Sequence, residues 1–550
     1  MKLESDLKMR WTGMMRARDP WLNIWQELAE VFTPGKAHFT VRPVQGERDN
    51  EKVYDSTPRR AARKLAASID GLIKPKTANW FEPTIDDEDL LRNWDVKNWL
   101  EYVQDRMWRA IYRTEARFIQ RSAEVDSNLV VHGWGVLWIA ENAPRNGLQF
   151  KSFHNAKVSF EENGDGQIDC LAFEECLTAR QAAAKFGESA LHTKVKECLY
   201  SVEPAKVRQE FQFGQLVLPN YDRLGQKLGF RSMPFATVVM DMENEHIISR
   251  GGFHEFPAAV PRWDTEAGQN YPRSPGMIAL PDALTLQAIS RTLLIGGERA
   301  ADPPLMVPSD AFLSPVRTFP GGLSVFDVQA LADGNLSTPV FPLPTSNTLP
   351  VGREMQADYR FQVEAAFYNN VLSIGNSGVQ QTATEVLERK EEFIRELGPI
   401  FGRLEADYVG MIVNRVFAIM ERHNAFPPRP QALLNVPITF KYQSPLQQAR
   451  KAIDIAGLNR TIEVTAPLQL TQPGMLDWID GDQIMMDSPE WSGIPTDWLR
   501  SEDEIAEIRQ GRAEQEEAQA EIDNAQPVAD SLKAVAQAQE ISANVPPETI

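Results

Sequence analysis

Residues 274–304, SPGMIALPDALTLQAISRTLLIGGERAADPP, decide the fold. Their spacing predicts a long helix from about Leu280 to Ala301. It ends against Asp302-Pro303-Pro304, because a residue before proline is pushed out of helical geometry. A second helix is expected from near Arg353 to about Leu372, with Met355, Tyr359, Val363, Ala366 and Phe367 on one face. Between the two lies a proline-rich stretch with short strand-like pieces, LMVP and LSVFDV. Two long helices holding a compact irregular tip make a hairpin-like projection, and long connections of this kind usually carry function.

Downstream, Thr382-Ala383-Thr384-Glu385 has the spacing of a capping box. Ile394, Leu397, Phe401, Leu404, Tyr408, Met411 and Ile419 follow at near-heptad steps to His423. Pro399 lies inside that pattern and is expected to kink the helix. The connector before the cap, Gly375-Asn376-Ser377-Gly378-Val379-Gln380-Gln381, is small, polar and uncharged, and reads by itself as an ordinary linker.

Upstream, Trp21, Ile24, Trp25, Leu28 and Val31/Phe32 recur at helical spacing until Pro34-Gly35. A helix is expected from Thr57 to Ile73, with Pro58 at its first position and Ala61, Leu65, Ile69 and Leu72 as its stripe. Trp94 to Ser127 reads as a third long helix. On it, Arg106, Arg109, Arg113, Arg117 and Arg121 fall on one stripe, read as a solvated or salt-bridged face rather than a nucleic-acid contact. From Leu129 the period changes: LVVHGWGVLWI (129–139), LQFKSFH, KVSFEE and QIDCLAFEEC read as strands. Asn163-Gly164-Asp165-Gly166 is a hairpin turn, not a calcium loop, for the acidic ladder is missing. A helix over Ala179–Tyr200 and two more strands, FQFGQLVL and PFATVVMDM, complete an α+β region at about 129–260.

The chain has 550 residues with 57 Lys+Arg against 76 Asp+Glu, a net charge of −19. Residues 451–550 hold 20 Asp+Glu against 6 Lys+Arg, a net of −14, so the acidity sits at the C-terminal end. That balance argues against a protein gripping phosphates by simple attraction. Three cysteines, Cys170, Cys176 and Cys198, need no disulfide framework and fit a reducing compartment. No apolar run is read as approaching the ~20 residues that span a bilayer. With no signal-peptide core either, a soluble protein used in a cytoplasm is expected.

No phosphate-binding glycine loop, dinucleotide fingerprint, zinc-ligand spacing or nucleophile elbow occurs. Asp86-Asp87-Glu88-Asp89 could supply paired carboxylates, but acids just before a helix read as a cap. No catalytic residue, metal ligand or cofactor is assigned.

Three strings carry a resemblance: DSTPRRAARKLAASIDGLIKPKTANWFEP (55–83), PRWDTEAGQNYPRSPG (261–276) and TATEVLERKEEFIRELGPIFGRLEADYVGMIVNRVF (382–417). With the order of elements, they make the chain resemble the head-to-tail connector, or portal, of short-tailed bacteriophages over roughly residues 15–445. Pro272 stands where glycine is common in that pattern, which alters the expected turn. The resemblance implies an α+β, mostly helical portal fold, and a non-enzymatic ring, normally a dodecamer, at one capsid vertex of the virion.

Further implications follow from the same likeness. Residues 1–279 would form a wing, 280–301 and 353–372 a stem, and 302–352 a clip. Pro303, Pro304, Phe312, Arg317 and Phe319 of the clip would meet the terminase large subunit and the tail adaptors. Residues 373–381 would be a tunnel loop, with Gly375, Asn376, Ser377, Gly378, Val379, Gln380 and Gln381 nearest the DNA. Residues 382–436 would be a long wing helix kinked at Pro399, 437–524 a crown, and 525–550 a loosely ordered tail. Partners would be double-stranded DNA without sequence specificity, further copies of the chain, and capsid, scaffolding and internal core proteins, but no membrane. Assembly would take place in the host cytoplasm. The alternatives are a multidomain hydrolase using paired carboxylates, or another ring-forming tail component.

Overall fold

The computed structural model describes residues 2–41, 53–76, 79–91, 93–142, 147–221, 232–303, 305–306, 341–342, 349–369, 400–434, 436–442 and 504–516, with a few isolated positions. The chain divides into two compact units. One holds residues 1–81, 106–425 and 442–446; the other holds 82–105, 426–441 and 447–550.

Three helices open the first unit: α1 (Lys2–Arg16), α2 (Asp19–Phe32) and α3 (Thr57–Ile73). Helix α3 has the predicted bounds, with Ala61, Leu65 and Ile69 buried. The second unit contains most of β1 (Phe81–Thr84), the short α4 (Glu88–Leu91) and the start of α5 (Trp94–Ile111). Asp87 Oδ1 accepts the backbone N–H of Asp89 at 3.0 Å and of Leu90 at 3.3 Å, so the acidic run caps α4.

The long helix expected over Trp94–Ser127 is two. After α5 a short turn follows, Arg117 adopts left-handed geometry at φ 59°, and α6 (Phe118–His132) begins. Phe118 sits 4.9 Å from Phe150 and 5.5 Å from Tyr112, ring centre to ring centre. Tertiary packing of one aromatic thus overrides a continuous helical propensity. The five-arginine stripe is corrected with it, since Arg113 and Arg117 lie outside both helices. Helix α6 also takes in Leu129–His132, read above as strand; it ends on Gly133 at φ +88°.

The strands β2 (Leu137–Asn142) and β3 (Gly147–Ser152) lead to β4 (Val158–Glu162) and β5 (Ile168–Thr178). Between β4 and β5, Asn163 Oδ1 accepts the N–H groups of Asp165 and Gln167, both at 2.9 Å, which is the turn expected there. The single helix expected over Ala179–Tyr200 is broken at Gly187, φ +83°, into α7 (Ala179–Phe186) and α8 (Thr193–Leu199), followed by α9 (Pro204–Val207). Then come β6 (Glu210–Pro219), β7 (Phe235–Asp241), β8 (His246–Phe253) and β9 (Ala258–Ala259).

Strands β4-β5-β6-β7-β8 form one antiparallel meander, and β3-β2-β9 a smaller sheet. Alternation along β6 explains how the meander is covered. Phe211 and Phe213 meet Ala182 and Val195 of the α7–α8 segment, while Leu216 joins Trp11, Met14 and Met15 of α1. Gly214 makes the second contact possible, because a Cβ there would stand 2.5 Å from Met242 Sδ.

Helix α10 (Pro275–Ala301) starts a turn earlier than expected, with Ser274 Oγ accepting Met277 N–H at 3.0 Å. It is long and apolar enough to cross a membrane by length and composition, which corrects the reading of apolar runs above. Asp282 and Arg291 are too widely spaced to interrupt it, and Ala279, Ala283 and Leu286 are buried within the protein. A strand pair, β10 (Leu305–Met306) with β11 (Phe341–Pro342), precedes α11 (Leu349–Ala366), which stops short of the expected Leu372. The third tract is helical over 400–404, passes through a π-helical turn at Glu405–Gly410, and continues as α12 (Met411–Arg422). β12 (Thr439–Tyr442), in the second unit up to residue 441, pairs with β1, and residues 504–516 are helical within the expected 502–524.

Candidate functional site: an anchored helix pair

Helices α10 and α11 pack side by side, and Gly352 sets how close they come. A Cβ there would stand 2.7 Å from Leu293 Cδ2. The half of the pair near the body is buried through Ala283, Leu286 and Gln287 of α10 and Val363 of α11. Other faces of both helices are open along their length: Leu294 is 56% exposed, Met355 47% and Phe361 62%, and Leu284 and Ile295, three turns apart on one flank, are also open. Single exposed apolar residues are ordinary, whereas a set along one helix pair makes it a candidate interaction surface.

A buried polar knot ties the pair to the N-terminal helices. Gln287 Oε1 accepts the N–H groups of Tyr54 (2.7 Å) and Asp55 (2.8 Å), and its amide donates to Asp55 O at 2.7 Å. Asp55 Oδ1 accepts Thr57 N–H at 2.8 Å at the start of α3, and its Oδ2 accepts Arg360 Nε at 2.9 Å from α11. Gln356 of α11 donates to Ser290 Oγ of α10 at 2.8 Å. Burial pushes the Asp55 carboxyl up, but the hydrogen bonds from Thr57 and Arg360 and the guanidinium charge hold it below the ordinary carboxylate value. Asp55 therefore caps α3 and receives α11 through its carboxylate, and binds Gln287 of α10 through its backbone.

The three resemblance strings meet in the body behind this knot. Ser274 Oγ donates to Val131 O at 2.7 Å, and Trp263 N–H to Gly133 O at 2.7 Å. A Cβ on Gly276 would lie 2.6 Å from Val131 O, and one on Gly133 would lie 2.9 Å from Pro272 O. Arg262 donates from Nη2 to Asp407 Oδ2 at 2.9 Å and to Gly166 O at 3.0 Å, and pairs with Glu162. Lys74, at the end of α3, donates to both oxygens of Asp126 at 2.8 Å, with its ammonium 4.3 Å from the centre of the Tyr408 ring. Burial pushes the Asp126 carboxyl up to about 6 against the pull of Lys74.

His132 lies at the foot of the same region, buried 4.9 Å from the Phe39 ring, with His154 and Lys36 as basic neighbours. Burial, with help from those neighbours, pushes its imidazole down to about 3. A histidine held neutral stabilises the fold above its unfolded value near 6.5, and this is lost as pH falls below it. The unfolding free energy from urea titrations should therefore drop from pH 7 to pH 4.5 by about 1 kcal/mol per pH unit at the steepest. His132→Phe should flatten that slope; an equally steep profile in the variant would assign it elsewhere.

Of the residues singled out from sequence, the structure places Pro303, half-buried just after α10. Pro304, Phe312, Arg317, Phe319, Pro399 and the whole of 375–381 lie outside the described residues, as do the Thr382 capping box and most of 437–524. Asp55, Gln287, Arg360, Arg262 and the Lys74–Asp126 pair were not singled out by sequence reasoning as functional. Asp55 carried one signal, an Asp two positions before a Thr-Pro helix start. Among the described residues, no three His, Cys, Asp or Glu side chains come together as metal ligands would.

The sequence profile of the bacteriophage head to tail connecting protein family matches residues 4–499. The portal protein of Salmonella phage epsilon15 is 27% identical over 500 residues, covering 90% of this chain and 88% of that protein. The probable portal protein of Bordetella phage BPP-1 is 26% identical over 521 residues, covering 93% and 91%. Among solved structures, a chain from the virion of a native gene transfer agent particle aligns with a TM-score of 0.36 at 13% identity, covering 82% of this chain and 96% of its own. A chain from the neck of an empty particle of the same kind, computed with C6 symmetry, aligns with a TM-score of 0.36 over 74% and 89%. The family match spans nearly the whole described body, so the chain belongs to the bacteriophage head to tail connecting proteins.

Proposed function

We propose that this protein is the portal of a short-tailed bacteriophage. It forms a ring at one capsid vertex, through which double-stranded DNA is packaged by terminase and later ejected, and to which tail proteins attach. In this reading α10 and α11 belong to the stem, 302–352 to the clip, 373–381 to the tunnel loop and 437–524 to the crown, with the rest of the body as wing. The ring itself performs no catalysis.

The observation that carries the reading is the uncovered apolar surface along α10 and α11, a pair tied to the N-terminal helices through Asp55. Neighbouring copies packed around an axis would bury it, and obligate ring contacts commonly cover about 2,000–5,000 Å². The chemistry of the loop agrees. Strong phosphate contacts would brake a sliding polyanion, whereas Asn376, Ser377, Gln380 and Gln381 offer hydrogen bonds without fixed charge.

Light scattering and electron micrographs of the purified protein test this directly. A mass near that of a dodecamer of 61.9 kDa subunits with hollow ring views is the expected result. Leu294→Asp with Phe361→Asp should shift the population to monomer while leaving the far-ultraviolet circular dichroism unchanged. Rings that survive both charges would remove the helix pair from the subunit interface. Deleting Asn376–Gln380 should leave rings intact but lower retained DNA at least tenfold; full packaging by that variant would refute the loop assignment.

A further inference from the structure

The long helical tract is not uniform. Residues 400–404 are α-helical, Glu405–Gly410 form a π-helical turn, and α12 follows. A π-turn accommodates one residue more than the α-helix would over the same rise, costs hydrogen-bond quality, and is frequent where function needs a movable register. Both sides of this turn are anchored, the C-terminal side by more contacts than the N-terminal. On the C-terminal side Ile412, Val413, Val416 and Ile419 are buried, Arg415 and Arg422 pair with Glu255, and Arg422 stands 3.5 Å from Glu141. Within the turn itself Tyr408 is buried under the Lys74 ammonium with its hydroxyl donating to Ser122 O at 3.5 Å, which fixes the C-terminal half of the turn. On the N-terminal side, Leu404 is buried, Arg403 donates to Trp263 O at 2.8 Å, and Gly402 is exposed.

Asp407 is the link between the turn and the body. Its Oδ2 accepts Arg262 Nε at 3.2 Å and Nη2 at 2.9 Å. Arg262 is almost wholly buried, yet it also holds Glu162 and Gly166 O on the β4–β5 hairpin. If Asp407 lets go, Arg262 keeps a carboxylate and a carbonyl, so no buried charge is orphaned. Asp407 is 26% exposed and can be solvated when released. A contact that can break without leaving an unpaired buried partner on either side is suited to a latch. Gly410 suits the π-helical state, for the turn brings its Cα so close to Glu405 O and Tyr442 Oη that a Cβ would lie 3.0 Å from each.

We propose that Glu405–Gly410 is a two-state register switch latched by Arg262–Asp407. In the latched state the turn is π-helical. In the released state one residue is absorbed into α-helical register, and residues 400–404 turn by about 100° and shift by about 1.5 Å against a stationary α12. The switch is a property of the single chain.

Hydrogen exchange on the full-length protein, followed by mass spectrometry, tests it. In Asp407→Asn, amides of 400–407 should exchange at least about tenfold faster, while those of 411–422 stay within about twofold of the wild type. Asp407→Glu, which keeps the charge, should return exchange toward the wild-type rate. Deleting Ala406 removes the extra residue and should slow exchange over 400–404 at least about tenfold relative to Asp407→Asn. Equal acceleration on both sides of the turn, or no change on either side, in Asp407→Asn would overturn the proposal, and that variant decides even if the deletion fails to fold. Ring assembly is scored separately on the same samples, so loss of rings with the exchange pattern intact counts against the ring and not the switch.

Discussion

Asp55→Ala is expected to lower the unfolding free energy by about 3 kcal/mol and to loosen α11 from the body before the rest of the fold gives way. The carboxylate caps the start of α3 through Thr57 N–H and receives Arg360 from α11, while the backbone carbonyl of the same residue accepts the Gln287 amide of α10 and keeps it in the variant. Loss of a cap costs about 1 kcal/mol, and leaving buried donors unpaired costs about 1–3 kcal/mol more. Arg360 is half exposed, so its own pairing adds little. Asp55→Asn keeps the shape and loses the charge, and should cost about a third as much. Because this carboxyl sits below its ordinary value, its contribution is present above the unfolded value near 3.8 and is lost as pH falls through the folded one. Hydrogen exchange resolved by segment checks the result: uniform acceleration across the first unit, rather than acceleration led by 349–366, would reject the anchor role.

Lys74→Met has the second large effect. It leaves the Asp126 carboxyl buried without its cation, and breaking a buried pair from one side costs about 3–5 kcal/mol. Burial already holds this carboxyl up at about 6, and without Lys74 it rises further. A carboxyl raised in the folded state binds its proton more tightly there than in the unfolded chain. The variant is therefore least handicapped in acid and loses stability as pH rises from about 4 toward its folded value. Lys74→Met combined with Asp126→Leu should recover most of the loss, since neither charge then remains. Denaturant titrations of the single and double variants at pH 5 and pH 7.5 decide. If the double variant is as unstable as Lys74→Met, the cost belongs to lost packing over Tyr408 and not to the orphaned charge.

Much of the fold could be read from local rules. Pro58 at the first position and the Ala61–Leu65–Ile69 stripe fixed α3 to the residue, Asn163 announced its hairpin, and Asp87 its cap. Those features are satisfied within a few residues of themselves, so no distant partner is needed to predict them. The misreadings have the opposite character. Between Arg106 and Arg121 there is no proline or glycine, and the break at Arg117 exists because Phe118 must reach Phe150, Tyr112 and Trp80. Leu129–His132 looked like strand because Val130 and Val131 are β-branched, whereas Gly133, the helix stop, was the better signal.

The sequence by itself determined the family, the two long helices that became α10 and α11, the acidic C-terminal end and the elements whose caps and turns are local. Only the tertiary structure decided that Asp55 holds α3, α10 and α11 together, that Arg262 joins the β4–β5 hairpin to Asp407, and that Lys74 neutralises Asp126. The physical reason is sequence separation. Asp55 and Arg360 are 305 positions apart, and Arg262 and Asp407 are 145 apart, so nothing in the local pattern marks either pair. A buried polar group takes whatever partner the packed chain delivers, and that delivery is settled when the apolar faces close, not when the residues are written in order.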